Sequence, residues 1–312
     1  MKILITGGAG FMGSNMIHYL LKKYDDVEIV NFDTLTYAGN LTSLSDIQDD
    51  KRYTFVKGSI ADEKALDQVV PGVDLIINYA AETHVDRSIL EPRAFIDTNI
   101  YGVYNLLEAV RRYKTPRMVH ISTDEVFGAV MEGESDEDSK FEPRSPYSAS
   151  KAAGDHLCQA YAVTYNTPVI VTHSVNFYGP FQFPEKLIPL FTMNLLEGKT
   201  VPVYGDGMQI REWIYTEDHC AAVDVIAQKG KLGDVYNIGT GYRVPNLDVT
   251  KQLMALTGRD ESAIEYVKDR PGHDRRYAIN SQKLRTELGW EPKVSFDEGL
   301  AKTVEWYKMN KD

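Results

Sequence analysis

The sequence is poor in cysteine and lacks a long hydrophobic run. Its 312 residues include only two cysteines, Cys158 and Cys220, which favours a cytoplasmic protein with free thiols over a disulfide-linked secreted one. No apolar segment approaches the roughly 18–20 residues that cross a bilayer, so we expect no membrane segment. No histidines and cysteines have the spacing of zinc ligands, so we also expect no metal.

Positive charge is scarce as well. The chain has 34 Lys and Arg residues against 45 Asp and Glu residues, which gives a net charge of −11. A nucleic-acid partner would require a basic surface, and the composition argues against one. An anionic small ligand is still compatible with this charge, because a diphosphate needs only a few cations inside a cleft.

In the first half, short apolar segments alternate with helical patterns. This alternation predicts an α/β fold with a Rossmann-like, doubly wound parallel sheet. The predicted strands are Lys2–Thr6, Val27–Phe32, Tyr53–Lys57, Leu75–Tyr79, Met118–Ser122 and Val169–Thr172. The predicted helices are Phe11–Lys23, Arg93–Tyr113 and Ser148–Tyr165.

The alternation weakens after about Gly179. We predict a first domain at residues 1–179 and a smaller C-terminal substrate-binding lobe at 180–312, with 211–240 partly returning to the first domain. In this half, Val235–Ile238 is predicted to be a strand. The predicted helices of this half are Glu217–Gln228, Leu247–Leu256 and Ser281–Leu288.

A glycine motif joins the first predicted strand to the first predicted helix. Gly7, Gly10 and Gly13 have the spacing GxxGxxG, and small residues there allow the backbone to approach a pyrophosphate at a helix N-terminus. Asp33 ends the next strand, where a carboxylate can accept hydrogen bonds from ribose hydroxyls and would repel a 2′-phosphate. Thr34 offers no compensating cation, so we predict NAD rather than NADP as the cofactor.

Two further segments carry residues that suit catalysis. Tyr147 and Lys151 are four residues apart in a helical pattern, so both lie on one face, and a nearby ammonium lowers the pKa of a phenol. Thr123, Asp124 and Glu125 follow a predicted strand. Two carboxyl groups in different environments can divide the roles of acid and base, although a polar loop at a strand end would explain the same residues.

The chain resembles the dTDP-glucose 4,6-dehydratases, members of the extended short-chain dehydrogenase/reductase family, over nearly its whole length. The matching segments are Asn31–Asn40, Ala80–Ser88, Ser122–Gly128, Ser145–Lys151, Phe183–Pro189 and Asp269–Ile279. The resemblance implies NAD-dependent oxidation at C4 of the sugar, elimination of water between C5 and C6, and hydride return to C6. The second lobe would then bind the nucleotide sugar.

The resemblance also implies individual roles. Tyr147 would be the base for the C4 hydroxyl, with Lys151 supporting it and Thr123 bonding the C4 oxygen. Glu125 would remove the C5 proton and Asp124 would protonate the departing C6 hydroxyl. Further cofactor contacts would come from Phe11, Met12, Leu35, Thr36, Ser59, Ile60, Ala80, Ala81 and Thr98. Substrate contacts would come from His84, Asn176, Lys186, Leu187, Pro202, Tyr204, Arg211, Asn237, Arg270 and His273.

Other functions remain open from the sequence. A nucleotide-sugar 4-epimerase or a 5,6-dehydratase acting on a UDP- or CDP-sugar would share the glycine motif and the Tyr147–Lys151 pair, and a catalytically silent NAD-binding protein would retain the fold. Epimerisation needs no pair of acids, so Asp124 and Glu125 favour the 4,6-dehydratase. The resemblance also implies a homodimer, in which Arg93–Tyr113 and Ser148–Tyr165 of two copies form a four-helix interface.

Overall fold

A computed structural model describes residues 1–311 of the chain. These residues form twelve strands: β1 Lys2–Thr6, β2 Glu28–Asp33, β3 Tyr53–Lys57, β4 Leu75–Asn78, β5 Met118–Thr123, β6 Val169–Ser174, β7 Asn176–Tyr178, β8 Val201–Tyr204, β9 Ile210–Tyr215, β10 Val235–Ile238, β11 Arg243–Pro245 and β12 Ile264–Val267.

The same residues form eleven α-helices, none of them long and apolar enough to cross a membrane. They are α1 Phe11–Lys23, α2 Glu63–Val69, α3 Val85–Leu90, α4 Arg93–Ile96, α5 Val103–Tyr113, α6 Pro146–Tyr165, α7 Leu187–Leu196, α8 Thr216–Lys229, α9 Asn246–Thr257, α10 Gln282–Leu288 and α11 Phe296–Met309.

Seven strands form the central sheet, in the order β10-β6-β5-β4-β1-β2-β3. All neighbours in it are parallel, which confirms the predicted doubly wound fold. Strands β4, β5 and β6 are buried along their whole length because helices cover both faces. Residues of α1 and α8 belong to the core on one face, and residues of α2, α5 and α6 belong to the core on the other.

The second lobe has its own core, to which α7, α9 and α11 contribute. Its strands form a three-stranded sheet, β11-β9-β7, and a parallel pair, β8 with β12. The chain then crosses back, because α8 packs against α1 and β10 pairs with β6. Strand β9 belongs to the second lobe, so the chain returns to the central sheet at α8. The predicted domain boundary at residue 179 stays a prediction.

One predicted helix differs from the structure. Arg93–Tyr113 is not a single regular α-helix, because residues Asp97–Gly102 form a π-helical turn between α4 and α5. Asn99, within this turn, pairs with the backbone of Glu82 through two hydrogen bonds of 2.9 Å and also donates to Ser150 Oγ. The wider turn therefore anchors the helix to the loop after β4, beside the site described next.

Candidate active site

The strand order reverses between β1 and β4, and a cavity of about 440 Å³ opens at the carboxyl ends of these strands. Most residues predicted to bind or react line this cavity. The cofactor and catalytic set includes Gly7, Gly10, Phe11, Met12, Gly13, Asp33, Thr36, Ser59, Ile60, Ala80, Ala81, Thr98, Thr123, Asp124, Glu125, Tyr147 and Lys151. The predicted substrate set includes His84, Asn176, Lys186, Leu187, Pro202, Tyr204, Arg211, Arg270 and His273.

The glycine turn is too tight for side chains. Gly7 has φ +70°, and a Cβ there would lie 2.6 Å from the backbone nitrogen of Ala80. A Cβ on Gly13 would lie 2.2 Å from the carbonyl oxygen of Gly7. Gly10 precedes α1, and no side chain caps that helix. The first-turn N–H groups are thus exposed to a ligand as bare backbone, which suits a pyrophosphate.

Asp33 is held at the end of β2 with both carboxylate oxygens bonded to backbone. Ala9 N donates to Oδ2 at 3.0 Å and Leu35 N donates to Oδ1 at 2.7 Å. Burial raises the pKa of Asp33, and these two hydrogen bonds oppose that rise. The remaining lone pairs can accept ribose hydroxyls. Leu35 does not line the cavity, and its N–H donates to Asp33, so its contact with the cofactor stays a prediction.

The start of α6 places Tyr147 in the cavity. Ser145 and Ser148 form a reciprocal capping box, and Pro146 occupies the first helical position. Tyr147 and Lys151, one turn apart, are both buried. Lys151 Nζ donates to the carbonyl oxygen of Ile121 at 2.7 Å.

The pKa of the Tyr147 phenol differs from the sequence expectation. Burial raises this pKa, and the neighbouring Glu125 carboxylate raises it further, while Thr123 acts in the opposite direction. Burial also lowers the pKa of the Lys151 ammonium, against the effect of Asp155. Any lowering by Lys151 is smaller than these effects, and its ammonium donates to the Ile121 carbonyl.

Asp124 and Glu125 occupy contrasting environments at the end of β5. Asp124 is 2% exposed, and Thr123 Oγ1 donates to its Oδ1 at 3.3 Å. Burial raises the pKa of Asp124 well above its ordinary value, and the charge of Glu125 adds to this. Glu125 is only partly buried, and the Tyr277 hydroxyl lies 3.4 Å from its Oε2. The first carboxyl group is therefore suited to donate a proton and the second to accept one.

Cations from the second lobe lie at the other end of the cavity. Lys186 Nζ donates to Thr83 O at 3.1 Å, and Arg211 Nη2 donates to Asp274 O at 3.0 Å. Arg270 lies 3.7 Å from Asp86. These side chains keep further donors free for a diphosphate.

An aromatic side chain and an imidazole accompany these cations. The rings of Tyr204 and His273 meet edge to face, with centroids 6.1 Å apart. Burial lowers the pKa of His273 to about 4, so its imidazole is neutral near pH 7.

The position of Asn237 does not fit the predicted substrate contact. It lies in β10 with no exposed surface and does not line the cavity. Its Nδ2 donates to the carbonyl oxygens of Ser135 and Asn280, and its Oδ1 faces His173. Alternate residues of a strand point to opposite faces, and this position points into the core.

Sequence reasoning missed Tyr277. Its hydroxyl donates to Asp274 Oδ2 at 2.9 Å, and its ring lies 4.2 Å from the guanidinium carbon of Arg211. It therefore lies between the Glu125 carboxylate and Arg211. Its position inside the segment Asp269–Ile279 was the available signal, but a tyrosine there has no spacing that predicts a role.

The fold and the cavity together define an extended short-chain dehydrogenase/reductase with a dinucleotide site and a Tyr–Lys pair. The family described as GDP-mannose 4,6 dehydratase matches residues 4–303. A dTDP-glucose 4,6-dehydratase from Streptomyces niveus is 47% identical over 100% of this chain and 94% of that protein. The chain belongs to the dTDP-glucose 4,6-dehydratase family.

Two solved structures show how similar the chain is to a dehydratase and to an epimerase. The crystal structure of DesIV (dTDP-glucose 4,6-dehydratase) from Streptomyces venezuelae, with NAD and TYD bound, superposes with a TM-score of 0.98 at 46% identity, covering 100% of this chain and 98% of that one. UDP-glucose 4-epimerase from Thermotoga maritima, with UDP-glucose, has a TM-score of 0.92 at 30% identity, with all of both chains covered. The dehydratase is thus more similar than the epimerase in both sequence and structure.

Proposed function

We propose that this chain is an NAD-dependent 4,6-dehydratase that converts dTDP-glucose into dTDP-4-keto-6-deoxyglucose and water. The observation that carries the proposal is the pair of adjacent carboxyl groups, Asp124 buried with a raised pKa and Glu125 partly exposed. An epimerase requires no such pair. Family membership and the identity of the similar proteins support the same activity.

The residues present fit NAD. The turn at Gly7, Gly10 and Gly13 would hold the pyrophosphate, and Asp33 would bind the adenosine ribose. The Ser59 hydroxyl, which accepts a bond from Ala61 N, would approach the adenine. When bound, NAD supplies the acceptor that takes a hydride from C4 and later returns it to C6.

The chain's own groups would move the protons. Tyr147 Oη would take the proton of the C4 hydroxyl while Thr123 Oγ1 bonds the C4 oxygen. Because burial and Glu125 raise the pKa of the phenol, ionisation of Tyr147 depends on the positive charges of Lys151 and of bound NAD. Glu125 would then take the C5 proton, and the neutral Asp124 would give its proton to the departing C6 hydroxyl, which leaves as water. C5 would be reprotonated when the hydride returns to C6.

The nucleotide would be bound by the second lobe. Lys186, Arg211 and Arg270 would contact the diphosphate, and Tyr204 with the neutral His273 would lie beside the ribose and base. His84 would border the sugar. These assignments rest on the positions of the side chains along one cavity.

A substrate panel with product masses tests the activity. We expect dTDP-glucose to lose 18 Da, the mass of one water, and UDP- and CDP-glucose to react more slowly. Asp124→Asn and Glu125→Gln should lower product formation by about 10²–10⁴-fold, the usual contribution of a general acid or base. Asp138→Asn removes an exposed carboxylate elsewhere and serves as the control. A product of unchanged mass would indicate epimerisation and contradict the proposal.

The assembly we propose is a homodimer through α4, α5 and α6. Large apolar side chains are exposed on these helices and on the turn between α4 and α5, including Ile96, Tyr101, Tyr104 and Val163. Exposed apolar patches of this kind typically mark surfaces at which proteins bind one another. We also propose a cytoplasmic location, which agrees with the two buried, unpaired thiols of Cys158 and Cys220.

A further inference from the structure

A buried polar cluster lies directly behind the reacting residues. Asp155 follows Lys151 by one turn of α6, and His120 of β5 and His173 of β6 face it; all three side chains have no exposed surface. His173 Nε2 is 3.3 Å from Asp155 Oδ2, and His120 Nε2 is 3.5 Å from Oδ1. Nothing in the reaction described above uses these groups directly.

Hydrogen-bond donors and acceptors fix where the protons are. Asn237 Nδ2 is 3.2 Å from Ser135 O and 3.1 Å from Asn280 O, and because carbonyl oxygens only accept, this nitrogen must be the donor. Asn237 Oδ1 is therefore an acceptor. It lies 3.1 Å from His173 Nδ1, so that nitrogen carries a proton.

This assignment determines the other nitrogen of His173. If the ring were neutral, Nε2 would present a lone pair to the Asp155 carboxylate, with no proton between two acceptors in a fully buried place. A second proton, on Nε2, removes the conflict and makes His173 an imidazolium. Asp155 Oδ2 also accepts from Ser122 Oγ at 2.7 Å, which favours the carboxylate form of the acid.

The ion pair is connected to the catalytic residues on two sides. Ser122 is the residue before Thr123, and Lys151 is held by the carbonyl oxygen of Ile121. Asp155 therefore ties the end of β5 to the turn of α6 that carries Lys151. On the far side, Asn78 Nδ2 is 2.9 Å from His120 Nδ1, which extends the cluster across the sheet.

We propose that Asp155 and His173 form a buried carboxylate–imidazolium pair that positions Thr123 and Lys151 and sets the charge behind Tyr147. The proposal rests on the proposed function, in which Tyr147 accepts the C4 hydroxyl proton. Within the pair the two charges cancel. Loss of His173 alone leaves the Asp155 carboxylate uncompensated next to Lys151, which opposes ionisation of Tyr147.

Other titratable groups face the Asp155–His173 pair and Tyr147. Lys151 and Cys158 from α6 and His120 from β5 face the pair, and Glu137 accepts from Asn237 N at 2.9 Å. Phe127 and Phe141 pack against the His173 ring. Around Tyr147, the acidic groups are Asp124, Glu125 and Asp155.

The first experiment is a rescue measured on the holoenzyme. His173→Gln should move the acidic limb of the kcat/KM profile for dTDP-glucose to higher pH by roughly one unit, the size of one nearby charge effect. Adding Asp155→Asn removes the uncompensated carboxylate and should restore the limb. A merely structural pair predicts that the second substitution adds damage without moving the limb back.

A matched control distinguishes the loss of the Asp155–His173 pair from the loss of a buried histidine in general. His219 is also fully buried, but its ring faces Tyr79 and Phe177 instead of a carboxylate. His219→Gln should leave the limb where it is. An equal shift in His219→Gln, or an unshifted limb in His173→Gln, overturns the proposal.

A second experiment needs neither turnover nor a stable variant. In ¹⁵N-histidine-labelled wild-type protein, both nitrogens of His173 should give protonated signals at pH 7.5. A neutral His173 at that pH contradicts the ion pair. Absence of turnover on dTDP-glucose with both nitrogens protonated would instead refute the proposed function and leave the ion pair standing.

Discussion

At the scale of single residues, Asp124 and Glu125 carry the same carboxyl group but lie in different surroundings. Asp124 is enclosed beside the Glu125 carboxylate, and both burial and that charge favour its neutral form. Glu125 faces the cavity and one phenol, Tyr277. The sequence identified both carboxyl groups, because adjacent acids after a buried strand are uncommon. Their different surroundings depend on burial, which sequence spacing does not report.

Tyr277 provides a prediction at this scale. The one proton of its hydroxyl can reach Asp274 Oδ2 at 2.9 Å or Glu125 Oε2 at 3.4 Å, so Tyr277→Phe removes a donor that Glu125 shares with Asp274. We expect kcat for loss of water to fall roughly tenfold with little change in KM, the effect of losing one hydrogen bond to a charged group. Incorporation of solvent deuterium at C5 should slow to the same extent.

Tyr307→Phe is the matched control for this substitution. Tyr307 is equally buried, and its hydroxyl bonds the carbonyl oxygen of Gln182, away from the carboxyl groups. Tyr307→Phe should lower the free energy of unfolding, but it should leave the rate of deuterium incorporation at C5 unchanged. If both variants exchange C5 at the wild-type rate, Tyr277 has no role in positioning Glu125.

At the scale of elements, the second half of the chain was predicted only in part. Strand β10 has the predicted bounds, and α8, α9 and α10 differ from prediction by at most one residue at either end, but the remaining strands and helices of this half were missed. Strands β1 and β3 have the predicted bounds, and β1 is the short, largely buried apolar run that is typical of a parallel strand. In the second lobe, β8 pairs with β12, about sixty residues away, and β7 and β11 have three residues each. Such short, distant strands have no recognisable periodicity.

Two helices of that lobe were missed for different reasons. In α7 the sequence LIPLFTMNLL is apolar on all sides, so it shows no amphipathic period. By contrast, α11 has a serine N-cap and a partly buried stripe, which are signals that could have been found. Most of the predicted site residues on motifs line the cavity, whereas Asn237 does not, because which face of β10 meets the core depends on the tertiary pairing with β6.

The N-terminus of α6 gives a prediction for an element. Ser145 Oγ accepts from Ser148 N at 3.0 Å and caps the turn that contains Tyr147. Ser145→Ala should lower the free energy of unfolding by about 1 kcal/mol, measured by urea denaturation. Because Tyr147 lies in this turn, kcat should fall as well.

Ser295→Ala separates these two effects. Ser295 caps α11 through Glu298 N at 3.3 Å, far along the chain from the catalytic residues. This variant should show a similar loss of stability with an unchanged kcat. If Ser145→Ala and Ser295→Ala reduce kcat equally, the cap of α6 has no specific part in placing Tyr147.

At the scale of the whole molecule, the exposed apolar helices should determine the assembly. Tyr101 and Tyr104 stack with ring centroids 6.0 Å apart at the surface, and Val163 of α6 is 84% exposed. Light scattering should give twice the chain mass of 35.2 kDa for the wild type. Tyr101→Glu combined with Val163→Glu should give a monomer, because burying two uncompensated carboxylates between copies is costly.

We expect the dimer to dissociate because of where the two carboxylates are placed, and not because negative charge is added to the chain. Tyr266 of β12 is 59% exposed in the second lobe, and Tyr266→Glu adds a carboxylate there without touching α5 or α6. This control should remain a dimer at the same protein concentration. A monomeric wild type refutes the four-helix interface outright, and a dimer that survives the Tyr101 and Val163 substitutions places the contact on another face of the molecule.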